Sequence, residues 1–192
     1  MAMHTELWFP SVVWSAIIHS IDNSELKKFA YARKQTDPGR SISNYKGYQS
    51  SDLKLGDNSQ IDNLVNTLNK EIFDCSKQVG LPQLTLYNIW ININSPGSYN
   101  HLHNHLGSVL SGVYYVDANE NQGNIQFERS DNGEYHIPEI VDKETYFTCT
   151  RATYAGKTGG LYIFPSWLKH SVQGNNSNTD RISISFNYGE KK

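Results

Sequence analysis

The spacing of apolar residues changes period near residue 82. Before it, Ile61, Leu64, Val65, Leu68, Ile72, Cys75 and Val79 recur at threes and fours. That spacing predicts a helix with one apolar stripe, capped near Ser59 and stopped by Gly80-Leu81-Pro82. A shorter helix is predicted after Asp22, where Glu25 three residues on resembles a capping box and Leu26, Phe29 and Ala30 keep helical spacing up to Pro38-Gly39. Beyond Pro82 the period becomes two. Tyr87, Ile89, Ile91 and Ile93 alternate with Asn88, Trp90, Asn92 and Asn94, which suits a strand turning apolar side chains to a helix and amides to a cavity. Residues 108–116, 124–127, 159–165 and 167–172 read as further strands. The last strand, Arg181 to Asn187, sets Ile182, Ile184 and Phe186 against Arg181, Ser183, Ser185 and Asn187. Leu7 to Trp14 is aromatic and β-rich, with a proline that suits an edge strand. Residues 128–157 read as one long irregular segment, the kind that forms a lid or binding loop.

Two helices followed by many short strands predict a mainly β protein with flanking helices, a sandwich or barrel. Its 192 residues suit a single domain, with helical support over 20–80 and a β core over 84–188. A net charge of −2 offers no basic footprint for nucleic acid. No run reaches membrane-spanning length, and no basic leader precedes an apolar stretch. Cys75 and Cys149 form no motif, so a reducing, cytoplasmic setting is expected. Oligomeric state stays open, with a homodimer among the options.

The candidate chemistry lies in Asn100-His101-Leu102-His103-Asn104-His105. In an extended strand, residues two apart share a face, so three imidazoles would aim at one point. Imidazole suits iron, zinc, copper and nickel. Arg181 on an interior face is costly to bury unless an anion meets it, and guanidinium is shaped for a carboxylate. A metal cluster with such an arginine suggests a chelated acid whose far carboxylate reaches Arg181. The bland alternative is an Arg181 paired with an internal acid. Asp180 would not serve, because it points to the opposite face.

These blocks, with Leu7 to Trp14, residues 44–51, Trp90 to Gly97, Ser111 to Tyr115 and Phe164 to His170, resemble the Fe(II)/2-oxoglutarate-dependent dioxygenases. Within them the chain is similar to a subfamily of oxygenases found in bacterial and phage genomes. The resemblance implies a double-stranded β-helix, or jelly-roll, with iron and 2-oxoglutarate as cofactors. It implies metal ligation by His103, His105 and His170, and a grip on the 2-oxoglutarate tail by Arg181 and Ser183, eleven and thirteen residues after His170. His101 then falls outside the ligand set or on the substrate side, although a His101/His103 pair is the alternative. Asn88, Trp90, Asn92 and Tyr114 are candidates for contacts around the metal and co-substrate, and Trp167 for core or rim. One departure is plain. The superfamily's second ligand is usually a carboxylate, yet no Asp or Glu lies between Asp74 and Asp117. The implied reaction couples O2 and 2-oxoglutarate to hydroxylation of a peptide or small molecule, releasing succinate and CO2. The competing readings are a three-histidine dioxygenase that does not use 2-oxoglutarate and a non-catalytic jelly-roll holding a stabilising metal.

Overall fold

In the computed structural model, which describes residues 3–190, the strand-rich part of the chain makes two antiparallel sheets with both helices against one of them. The elements are β1 (Trp14–Ile17), α1 (Asn23–Thr36), β2 (Asn44–Tyr45), β3 (Tyr48–Gln49) and α2 (Ser59–Gln78). The sheet core follows as β4 (Thr85–Asn94), β5 (Tyr99–His103), β6 (Leu110–Asp117) and β7 (Ile125–Glu128). Then come β8 (Arg151–Tyr154), β9 (Gly160–Pro165), β10 (His170–Val172) and β11 (Arg181–Gly189). The six-stranded sheet runs β1-β9-β6-β11-β4-β3 and the five-stranded sheet β2-β5-β10-β7-β8. This is the jelly-roll expected from the sequence.

Local chemistry explains the helices. Asp22 accepts from the Ser24 and Glu25 amides at the start of α1, and Asn58, one residue before the expected Ser59, caps α2 through the Gln60 and Ile61 amides. The stripe Ile61, Leu64, Val65, Leu68, Ile72 and Cys75 joins Leu26 and Ala30 of α1 against Ile89, Ile91, Ile93, Ile182, Ile184 and Phe186. Each such fully buried aliphatic contributes about 1.5–3 kcal/mol as an upper bound. The other face of the six-stranded sheet is therefore free to line an interior. Between the sheets, Val113, Tyr115, Phe127, Phe164 and Leu168 form a second, smaller apolar cluster.

Three expectations change. Residues 7–13 are not strand; β1 begins at Trp14, and Leu7, Trp8 and Phe9 are exposed. The segment 128–157 is not wholly irregular, because β8 returns to pair with β7 from Ile125↔Tyr154 to Glu128↔Arg151. Tyr87 leaves the apolar face of β4, since a bulge opposite Asn187/Tyr188 breaks the alternation there. Cys75 and Cys149 are free thiols, and no helix among the described residues is long and apolar enough to cross a membrane.

Gly112 of β6 sits where Phe186 packs closest: a Cβ there would lie 2.3 Å from the Phe186 ring and 2.6 Å from the Tyr162 carbonyl oxygen. One partner is backbone and cannot swing away. Gly112→Ala is expected to lower stability by about 1–3 kcal/mol in urea unfolding; an unchanged midpoint would contradict this packing.

Candidate metal and co-substrate site

A bulge builds the site. His170 pairs with His103, but Val172, two residues on, pairs with Asn100, three residues back, so β5 carries one extra residue. The bulge flips the alternation, and Asn100 and His103 both face the interior. His101 therefore does not share the face of His103. Its ring lies against Tyr99 (4.9 Å) and Tyr45 (6.4 Å), away from the cavity. The expectation that three alternating histidines converge holds for two of them.

Those two meet His170. Among the described residues, His103, His105 and His170 form a cluster whose ligating nitrogens all lie within 4.8 Å of one another. His103 Nδ1 faces the His101 carbonyl at 2.7 Å, and His170 Nδ1 faces the Leu168 carbonyl at 3.0 Å. A carbonyl oxygen only accepts, so each Nδ1 carries the proton and each Nε2 keeps its lone pair. His105 Nε2 lies 3.3 Å from His170 Nε2. Burial holds all three imidazoles neutral: it lowers the pKa of His103, takes His105 to about 4 and His170 to about 3, the other imidazoles adding to the effect on the latter two. Without a cation, His105 can donate its Nε2–H to the His170 lone pair; in the other tautomer it turns a third lone pair to the same point. Two nitrogens bound about 2.1 Å from one ion at right angles stand about 3 Å apart, so the donor set fits a divalent transition metal.

The cavity behind the triad has a volume of about 220 Å³ and extends from an outer rim at Ile42, Tyr87 and Leu106 to Arg181 and Ser183. No Asp or Glu among the described residues lines it. Asn88, Trp90 and Asn92 line it, as the alternation of β4 predicts. Trp90 also stacks on His105, with ring centres 5.9 Å apart. Arg181 is 1% exposed and has no carboxylate partner among the described residues. One end of its guanidinium donates to the carbonyls of Gln122, Gly123 and Gln173. Burial pulls its pKa down, and only Tyr115 pushes it up. Asp180 faces away and accepts from Tyr31 on α1, so the internal-acid alternative does not hold.

One expected contact is wrong. Tyr114 points to the helices, where its hydroxyl donates to Asn23 Oδ1 at 2.9 Å, and it does not line the cavity. Tyr115 lines it instead, fully buried, with its pKa raised to about 12 by desolvation. Both faces of β6 are apolar, so its composition hides which tyrosine points inward. Ser111, the strand's one polar interior residue, shares parity with Tyr115 and was the available signal. Asn94 lines it too, as the same alternation of β4 expects, while Asn100 and Arg40 also line the cavity and had no sequence signal that set them apart. Trp167 is half exposed, outside the lining, and residues 129–150 contribute nothing to it.

A jelly-roll with three inward histidines and a buried, acid-free arginine defines a class of metal-dependent enzyme. A sequence model of the family described as "Putative 2OG-Fe(II) oxygenase" matches residues 88–187, just over half the chain. The chain belongs to this family, whose cofactors are Fe(II) and 2-oxoglutarate. A comparison with curated proteins finds no sequence match. Among solved structures, a Pseudomonas putida prolyl-4-hydroxylase is similar with a TM-score of 0.67 and 12% identity over 94% of this chain and 93% of that one. A prolyl hydroxylase from Trichoplax adhaerens, in complex with a hypoxia inducible factor peptide fragment, gives 0.68 and 13% over 92% and 83%. HygX from Streptomyces hygroscopicus, with nickel and 2-oxoglutarate bound, gives 0.63 and 13% over 95% and 84%. At these identities the structural likeness concerns the fold.

The neutral imidazoles set a pH dependence for the metal-free protein. Unfolded histidine takes a proton near pH 6.5, whereas buried His170 takes one only near 3. The unfolded chain therefore binds more protons below 6.5. Stability is full above that pH and falls as pH drops, by up to about 1.4 kcal/mol per pH unit for His170. The melting temperature of metal-free protein should fall between pH 6.5 and 4.5, with a shallower fall in His170→Gln; equal slopes would contradict the assignment.

Proposed function

We propose that the chain is a 2-oxoglutarate-dependent hydroxylase in which His103, His105 and His170 hold Fe(II) while Arg181, Ser183, Asn92 and Tyr115 receive the co-substrate. The observation that carries this reading is an acid-free cavity with three converging imidazoles and a buried guanidinium that lacks a carboxylate among the described residues. A dianion with one chelating end and one free carboxylate complements both. Iron with 2-oxoglutarate supplies O2-dependent oxidation of an unactivated C–H bond, with succinate and CO2 released.

The protein's own groups supply placement. Arg181 offers donors for the C5 carboxylate, and its bonds to the three carbonyls fix the plane of the guanidinium. Asn92 donates one Nδ2 hydrogen to Ser185 at 2.9 Å, which leaves its second Nδ2 hydrogen to donate to a co-substrate oxygen. Tyr115 keeps its hydroxyl proton at any physiological pH and so can donate to a carboxylate. The aromatic wall of Phe127 and Phe164 beside His170 excludes water from the metal side.

The rim points to the substrate. Ile42, Tyr87 and Leu106 are exposed apolar residues on the cavity lining, and the rim cation Arg40 is engaged by Asp52 and the Ser50 carbonyl. The substrate group that enters is therefore uncharged and largely apolar, on a small molecule or a peptide. The peptide-bound relative is compatible with this chemistry.

Removing one member of a buried charge pair costs about 2–5 kcal/mol. Arg181→Ala should weaken 2-oxoglutarate binding at least tenfold in calorimetric titration of the Mn(II)-loaded protein, with metal affinity retained. Tyr115→Phe should weaken it by a smaller factor. Wild-type affinity in Arg181→Ala would overturn the co-substrate assignment.

A further inference from the structure

One polar row crosses four strands of the larger sheet. Tyr115 on β6 pairs with Ser183 on β11, Ser183 with Asn92 on β4, and Asn92 with Gln49 on β3. Residues directly opposite one another in a sheet share a face, and all four line the cavity. Tyr48, next to Gln49, turns the other way and packs against the helix-side core. Gln49 is 5% exposed. Its main-chain carbonyl accepts from the Arg40 amide at 2.7 Å, but its side-chain amide has no hydrogen-bond partner among the described residues. Burying a primary amide without a partner is costly, so this one is built to meet a ligand.

The co-substrate does not account for Gln49. As proposed above, it runs along β11, from the Arg181 guanidinium toward the metal at the level of Ser185. That serine pairs with Trp90, the ring stacked on His105. Tyr115, Ser183 and Asn92 flank this path, whereas Gln49 lies two strands away from β11, about 10 Å to the side. The end carbons of a five-carbon diacid stand only about 5 Å apart. On the side of Gln49 is the outer rim, because the main chain that pairs with it at Arg40 leads directly to Ile42. The Gln49 amide therefore faces the space between the rim and the co-substrate.

We infer that Gln49 is a substrate-binding residue that recognises a neutral amide, a peptide group or a carboxamide, next to the group being oxidised. Whichever way its own amide is turned, it presents both N–H donors and a carbonyl acceptor. A substrate amide presents the same groups in return, so two hydrogen bonds form together. A carboxylate would use only the donors, and an ammonium only the acceptor. Nothing at the rim favours either charge: Arg40 is engaged by Asp52, and no Asp or Glu among the described residues lines the cavity. The apolar rim at Ile42, Tyr87 and Leu106 takes the carbon skeleton on either side of the amide. This inference rests on the oxygenase reading and narrows its substrate to compounds that carry an amide.

The test is amide binding to protein loaded with 2-oxoglutarate and Zn(II), a metal without redox chemistry. The probes are capped tripeptides with a varied central residue, small carboxamides, and the ester matched to each hit, read by saturation-transfer NMR and dissociation constant. At least one amide should bind wild type, more tightly than its ester and about tenfold more tightly than it binds Gln49→Leu. Hits confined to the tripeptides support the inference with a peptide as the source of the amide, and hits confined to the carboxamides support it with a small molecule. Gln49→Leu should keep its 2-oxoglutarate affinity and, having lost an unpartnered buried amide, melt no lower than wild type. Gln49→Met takes its place should the leucine variant fail to fold. No amide bound by wild type, an ester bound equally well, or equal affinity in Gln49→Leu overturns the inference. So does a tenfold loss of 2-oxoglutarate affinity in Gln49→Leu, which assigns Gln49 to the co-substrate instead. Wild type that binds no 2-oxoglutarate overturns the oxygenase reading itself, and this inference with it.

Discussion

An interior with three uncharged imidazoles, one guanidinium and no carboxylate is electrostatically unfinished, and the remaining features of the site follow from that imbalance. Burial keeps the imidazoles neutral, so they cannot repel a cation. The arginine is solvated only by main-chain carbonyls, which lower its cost without cancelling its charge. A divalent ion would bring the cavity to three positive charges, and a dianion would bring it back to one. Where a family member with a ligating carboxylate has one positive charge less, this chain leans harder on its co-substrate. The apolar packing of α1 and α2 frees one sheet face to carry that arrangement, since Ile91 and Ile184 point to the helices while Asn92 and Ser183 point to the cavity.

The positions of these groups depend on small departures from regular geometry. One extra residue in β5 turns His103 inward and leaves His101 outside, so a bulge decides which histidines face the cavity. His105 is placed by a loop whose main-chain amide donates to the Ser166 carbonyl, and its ring is held by stacking on Trp90. Arg181 and Asn187 begin and end the inward-facing row of β11, with Ser183 and Ser185 between them. A single strand thus contributes four residues to one wall of the cavity.

Much of this is legible in the sequence. Strict alternation in β4 and β11 named their inward residues, and the three-and-four spacing of Ile61 to Cys75 named the face of α2. These patterns work because one side of each element is apolar and the other polar. Legibility failed where that contrast vanished. In β6 both faces are buried, so Tyr114 was mistaken for Tyr115. In β5 the bulge leaves no mark on the local sequence, and its parity depends on pairing with β10. Tyr87 fell to a bulge of the same kind, and residues 7–13, though β-rich, lack a strand to pair with. Asn187 is legible as an inward residue from the same alternation of β11, and it lines the cavity.

Coupling between metal and 2-oxoglutarate tests the central claim most directly. Calorimetric titration of 2-oxoglutarate into metal-free and Mn(II)-loaded protein, with the reciprocal titration of Mn(II), measures one coupling energy from both sides. If the two share this cavity, the dianion binds 1:1 and at least tenfold more tightly with the ion present, and the ion gains by the same factor. Equal 2-oxoglutarate affinity with and without Mn(II), or no binding in either state, would contradict the account.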